Sequence, residues 1–235
     1  MDSINNNLNG WLIINKDIGM SSRQAVNIVK KTLNVKKIGH AGTLDPLATG
    51  VLALAIGKAT KSVKYIMDGL KKYNFTIKWG ISTDTQDAEG KVISKSNKKP
   101  DQIILNSILK KFIGENEQIP PKFSAIKVNG KRAYKLSRNG QDFNLKPRIV
   151  FLKNFKIINN NVKKNNTTFE IECGKGFYVR SLARDICKEL GVDGYVVNLK
   201  RVKSEPFDLK NSISIKEFLK LYEKNDWKNF FLPIY

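Results

Sequence analysis

Asp45 has the setting of a reactive carboxylate. It lies in Lys37–Gly50 (KIGHAGTLDPLATG), where three glycines, one proline and no sustained hydrophobic period predict a shaped loop. Pro46 turns Asp45 away from helical backbone toward an extended one. The small neighbours Gly39, Ala41, Gly42, Ala48 and Gly50 let another backbone approach closely. A carboxylate held in this way can act on a substrate from the floor of a cleft, although the same residues in isolation also describe an ordinary Asp-Pro turn. The second such stretch is Gly174–Arg184 (GKGFYVRSLAR), a glycine-rich turn entering a helix with Tyr178, Arg180 and Arg184 in its first turns. Backbone amides at a helix start favour anions. Arg180 could pair in two-pronged fashion with a carboxylate or phosphate, or lie on the surface.

Other chemistries fail on counting or spacing. His40 is the one histidine, so mechanisms needing two, and histidine-rich metal cages, are excluded. Cys173 and Cys187 fit neither a disulfide framework nor the CxxC pairs of zinc sites, and buried thiols are expected. In Gly50–Thr60 (GVLALAIGKAT) the glycine spacing is too long for a phosphate-binding P-loop, and Ala59 stands after Lys58 where Ser or Thr is needed. Asp84–Gly90 (DTQDAEG) lacks the alternating ligands of a calcium loop and reads as a hairpin turn. No serine has the GxSxG setting of a hydrolase nucleophile. No metal is expected.

The elements around these residues follow from hydrophobic period. Gly10–Asn15 (GWLIIN) and Val51–Ile56 (VLALAI) read as buried strands on either side of a helix capped at Ser21 or Ser22, with Ala25, Val26, Val29 and Leu33 on one face. A helix follows over Thr60–Met67, a strand over Tyr73–Trp79, and a helix over Asp101–Ile113. Pro120–Asn144 is basic with interleaved Phe123, Tyr134 and Phe143 and two Asn-Gly turns, fitting either an RNA-facing arm or an ordinary surface hairpin and helix. Strands Ile149–Ile158 and Thr167–Cys173, helix Tyr178–Leu190, strand Tyr195–Val202 and helix Ile215–Tyr222 complete the pattern. Without a strict βαβ repeat, the expected class is α+β with a mixed, largely antiparallel sheet flanked by helices.

The charge supplies a partner class. Set against 21 acidic residues, 42 basic ones give a net charge of +21 and a pI near 9.9, which attracts polyanions. Since 35 of the 42 are lysine and asparagine is abundant, AT-rich coding offers a bland source for part of that charge. No apolar run reaches the roughly 18 residues of a membrane span. Met1–Asn9 lacks the basic end and apolar stretch of a secretory signal, so a cytoplasmic protein without a membrane partner is expected. One large domain over residues 1–235 is the simplest reading of the length.

Five segments in order, GHAGTLDPLATG (Gly39–Gly50), KKYNFTIKWGISTDTQDAEG (Lys71–Gly90), PPKFSAIKVNGKRAYKLSRNG (Pro120–Gly140), GKGFYVRSLARD (Gly174–Asp185) and NLKR (Asn198–Arg201), resemble the TruB family of tRNA pseudouridine synthases. The resemblance runs from about Gly10 to at least Arg201. It implies a pseudouridine synthase fold that isomerises the T-loop uridine of tRNA, position 55, without a cofactor, after flipping the base out. It further implies that Asp45 is the catalytic aspartate, Tyr73 the ring stacking on the target base, and Arg180 the partner that orients Asp45 in its charged form. Leu199 would be an apolar pocket wall, His40 an RNA contact, and Lys16 part of the segment NKDIGMSS, where the family's pattern has Pro in place of Asp17. Members of the bacterial type usually continue into a PUA-like RNA-binding domain. Only about 34 residues follow Arg201, so no separate C-terminal domain is expected, with the lysine-rich surface helping to grip the tRNA T-arm. A monomer is the default. The competing reading is a non-catalytic RNA-binding or RNA-chaperone protein, which has no need of Asp45, Tyr73 and Arg180 together. A ribosome-associated structural protein is the third.

Overall fold

The computed structural model describes residues 7–161 and 163–234; the leader expectation for the first residues falls mostly outside them. Two compact units form, Met1–Tyr73 with Leu199–Tyr235, and Asn74–Asn198. The chain passes from one to the other within the strands Lys71–Trp79 and Gly194–Ser204. Among the described residues no helix is long and apolar enough to cross a membrane.

In the first unit the apolar runs form the central strands. Gly10–Lys16 and Thr49–Ile56 pair antiparallel from Gly10↔Ile56 to Lys16↔Gly50. Leu12, Ile14 and every residue from Val51 to Ile56 are fully buried, which explains why these strands read as continuous apolar runs rather than alternations. Thr49–Ile56 also pairs antiparallel with the short strand Ile38–His40, and in parallel with Lys200–Arg201. Gly50 makes the last contact possible, because its φ is +99° and a Cβ there would meet the Arg201 carbonyl oxygen at 2.2 Å. Ile213–Ser214 pairs in parallel and Phe231–Pro233 antiparallel with Gly10–Lys16, so the apolar tail becomes a strand. Helix Ser22–Leu33 starts with a capping box between Ser21 and Gln24, ends at left-handed Asn34, and buries Ala25, Val29 and Leu33.

In the second unit the strand order is Lys71–Trp79, Asn166–Cys173, Arg148–Asn161, Gly114–Gln118. Phe75, Phe155 and Phe169 fill its core, with ring centroids 5.1 Å apart for Phe75–Phe169 and 5.5 Å for Phe155–Phe169. Helix Val179–Leu190 buries Leu182, Ala183, Ile186 and Cys187 and stops at Gly191. Asp84–Gly90 joins the hairpin strands Ile81–Thr83 and Val92–Lys95, as its turn residues predict. In Pro120–Asn144 the Asn129-Gly130 turn links the paired strands Lys127–Val128 and Lys131–Arg132, and helix Ala133–Arg138 follows. Both thiols are buried as expected. The result is an α+β fold whose sheet pairings are mostly antiparallel.

Candidate active site

Asp45 is fixed by its neighbours on both sides. Ser22, whose place in the helix the sequence left ambiguous with a cap, is buried, and its hydroxyl donates to the Leu44 carbonyl at 3.0 Å and accepts from the Leu44 amide at 2.9 Å. On the other side the Pro46 carbonyl accepts from the Gly19 amide at 2.9 Å and from Lys16 Nζ at 3.2 Å. Leu44, Leu47 and Ala48 are buried while Asp45 itself is half-buried, so the loop anchors in the core and leaves its carboxylate side partly open. Lys16 is fully buried, and its amine also donates to the Asp17 and Met20 carbonyls at 2.8 and 2.5 Å. That arrangement makes Lys16 a clamp on the turn beside Asp45.

Arg201 organises the rest of this unit's functional side chains. Its guanidinium, 1% exposed, donates from Nε to the Val51 carbonyl at 2.8 Å and from Nη2 to the Gly42 carbonyl at 3.0 Å. Nη1 lies 3.5 Å from the hydroxyl of half-buried Tyr73. His40 closes the short strand Ile38–His40, and its buried Nδ1 has no hydrogen-bond partner among the described residues. Burial first, and then the Arg201 guanidinium, push the His40 imidazole below its usual pKa, against a smaller opposing backbone effect at Gly42. Leu199 is buried on the strand Gly194–Ser204.

Arg180 belongs to the second unit, in the first turn of helix Val179–Leu190, and is buried there. Its Nη1 lies 3.5 Å from Asp87 Oδ2 and 3.1 Å from the Thr85 carbonyl, and Nη2 donates to the Phe123 carbonyl at 3.0 Å. The Asp87 carboxylate also accepts from the Thr85 hydroxyl at 2.6 Å and the Glu89 amide at 3.0 Å. Arg180 therefore ties the acidic hairpin and the start of the basic segment 120–144 to the helix. Gln118 holds the helix entry, accepting from the Tyr178 amide at 2.8 Å and donating to its carbonyl at 3.1 Å.

Sequence reasoning missed Ser22 and Arg201 as supports of the Asp45 loop in the first unit, and Asp87 as the partner of Arg180 in the second. DTQDAEG reads as solvated turn chemistry, and its last aspartate is in fact nearly fully buried. Arg201 was visible only as the end of NLKR, inside the expected strand Tyr195–Val202, where a basic residue gives no sign that it is buried.

Comparison with known proteins now assigns the family. The profile of the "TruB family pseudouridylate synthase (N terminal domain)" matches residues 30–179. A tRNA pseudouridine synthase B of Ehrlichia canis is 47% identical over 226 residues, which cover 96% of this chain and 75% of that protein. The protein of the same name from Ruegeria sp. is 42% identical over 97% of this chain and 75% of its own length. The Cbf5-Nop10-Gar1 complex contains a chain of like fold, with a TM-score of 0.74 at 23% identity, overlaying 95% of this chain and 60% of that one. With a profile over most of its length and relatives this similar, the chain belongs to the TruB family of pseudouridylate synthases.

Proposed function

We propose that this enzyme converts the uridine at position 55 in the tRNA T-loop to pseudouridine, with Asp45 as the carboxylate that starts the reaction. The reaction breaks the bond from N1 of the base to C1′ of the sugar, rotates the base, and joins C5 to C1′. The C5 proton is lost and N1 regains one, so atoms balance without oxidant, reductant or co-substrate. Tyr73 stacks on the flipped base, Leu199 walls its pocket and His40 contacts the RNA. Arg180 supports Asp45 in its charged form, and Lys16 holds the turn that follows it. Flipping costs a few kcal/mol, of which stacking on one aromatic ring returns about 1–3 kcal/mol. The two units serve as one catalytic domain, and the protein acts as a cytoplasmic monomer on the T-arm.

The observation that carries this reading is the double anchoring of the Asp45 backbone, at Leu44 by Ser22 and at Pro46 by Gly19 and Lys16. A mere binding loop has no need of a carboxylate whose backbone is fixed on both sides, whereas a reactive group needs positional precision. The test is incubation with tRNA transcripts carrying C5-tritiated uridine. Wild type should release tritium from one T-loop position, and Asp45→Asn should release none while binding tRNA with a Kd within about threefold. Conversion by Asp45→Asn would remove Asp45 from the chemistry. Absence of conversion by wild type, with tRNA still bound, would favour the non-catalytic RNA-binding reading.

A further inference from the structure

We infer that the groove between the turn after the strand Gly10–Lys16 and the helix Ser22–Leu33 holds an unstacked nucleobase next to the target uridine. This rests on the RNA substrate proposed above and names the part of that RNA gripped beside Asp45. The groove, about 450 Å³, is lined by Ile18, Gly19, Met20, Gln24, Asn27 and Ile28. Clefts for small planar ligands span roughly 300–1,000 Å³, so a base has room here. The chain carries 42 basic residues, yet among the described residues neither a basic nor an acidic one lines this groove. Phosphates are gripped by positive charge; apolar walls with side-chain amides suit a base and not the backbone.

The turn is held rigid. The Lys16 amine donates to the Asp17 and Met20 carbonyls, which bracket Ile18 and Gly19, and to the Pro46 carbonyl, which also accepts from the Gly19 amide at 2.9 Å. Ile18 on this support is nevertheless 66% exposed, an apolar side chain presented to solvent in a fixed place. Gly19 has φ +78°, and a Cβ there would meet nothing within 4 Å, so the space before it is open. On the helix, Gln24, Asn27 and Ile28 are three and four positions apart and share one face. Gln24 spends its Oε1 on the Ser21 amide and hydroxyl, each at 2.7 Å, which leaves its NH2 group to donate. The exposed Asn27 amide has no hydrogen-bond partner among the described residues. Such amides pair with base edges, and unstacked RNA bases are read in this way. Flipping the target uridine takes a stacking neighbour from the nucleotide beside it, and Ile18, Met20 and Ile28 replace that contact. Gly19 is bonded to Pro46, the residue after Asp45, so the groove opens beside the reacting position.

The experiment measures the affinity of wild type and of Ile18→Ser/Asn27→Ala for a T-arm stem-loop RNA, intact or with an abasic ribose at one loop position at a time, the target excluded. Both substituted residues are exposed, so the fold is kept. The double variant should bind intact RNA about 5- to 30-fold more weakly. At one loop position beside the target, the abasic ribose should cost wild type a similar factor and cost the variant less than about twofold, which identifies the base in the groove. The log–log salt slope should change by less than about 0.3, because no phosphate contact is removed. Additive losses at every position, or a slope flattened by about 0.7 or more, would overturn the site. A wild-type dimer in sedimentation that the double variant dissociates would assign the groove to a second copy of the chain and overturn it equally. If wild type converts no uridine in the intact stem-loop, it is the proposed function that fails, and the conversion assay run alongside reads that directly.

Discussion

Arg201 Nη2 donates to the Gly42 carbonyl at 3.0 Å, joining positions 159 residues apart. With Nε on the Val51 carbonyl, this one guanidinium holds both ends of the Asp45 loop: Gly42 on the way in and Val51 on the way out. Among the described residues its partners are carbonyls and the Tyr73 hydroxyl, without a carboxylate, so the fork geometry of arginine carries the interaction. Arg201→Lys supplies a charge but cannot reach both carbonyls. It should cost about 1–3 kcal/mol of stability, read as a fall in Tm of roughly 2–4 °C per kcal/mol for a chain of this size, together with a lower conversion rate. An unchanged Tm would show that the loop does not depend on the fork.

Ser22→Ala tests the anchor at Leu44. The substitution removes one oxygen and leaves the Leu44 amide and carbonyl without the partner that satisfies both. A buried polar pair so orphaned costs about 1–3 kcal/mol. Because Leu44 precedes Asp45 in the chain, kcat should fall by more than tRNA affinity does. Equal losses in the two would mean that the hydroxyl supports the fold in general and not the position of the carboxylate.

Asp87 and Arg180 are side chains 3% and 4% exposed. Breaking a buried ion pair from one side strands the other charge, typically at about 3–5 kcal/mol. Asp87→Asn combined with Arg180→Met should therefore lower the midpoint of denaturant unfolding by less than the sum of the two single losses. A double-mutant cycle measures this coupling, expected at about 0.5–3 kcal/mol. Additive losses would show that the Thr85 and Phe123 carbonyls, not Asp87, hold the guanidinium.

The difference between what was and was not legible is itself physical. Val51–Ile56 was legible because a strand buried on both faces must be apolar throughout, and the Asp45 loop because its glycines, proline and aspartate occur at specific positions. Gly114–Gln118 (GENEQ) was not, since it ends the strand order of its unit and pairs through its backbone with Arg148–Leu152; an edge strand gains from charged side chains and carries no apolar alternation. The short strands Ile38–His40 and Phe231–Pro233 were hidden for a related reason, having too few residues to establish a period. Helix Ser22–Leu33 was found, but which of two adjacent serines capped it was settled by Leu44, a partner 22 positions away. Asp87 is the plainest case. An acid in a turn is normally solvated, and Arg180 from the helix Val179–Leu190, with the Thr85 hydroxyl and the Glu89 amide, makes its burial tolerable.

His40 gives the chain a pH dependence whose sign follows from its surroundings. Its pKa lies below the ordinary value of 6.5, chiefly because burial disfavours the imidazolium and next because Arg201 repels it. The unfolded chain therefore takes up a proton on this residue at a higher pH than the folded chain does. The stabilisation is complete above about pH 6.5 and is lost as pH falls through the folded-state value. Between pH 7.5 and 5.5 the Tm of wild type should decline, and His40→Asn, lacking the titrating group, should decline less. Arg201→Lys keeps the charge and should preserve more of the slope than His40→Asn does. If wild type and His40→Asn lose stability in parallel over that interval, the pH dependence arises elsewhere and the half-buried imidazole beside Arg201 contributes nothing to it.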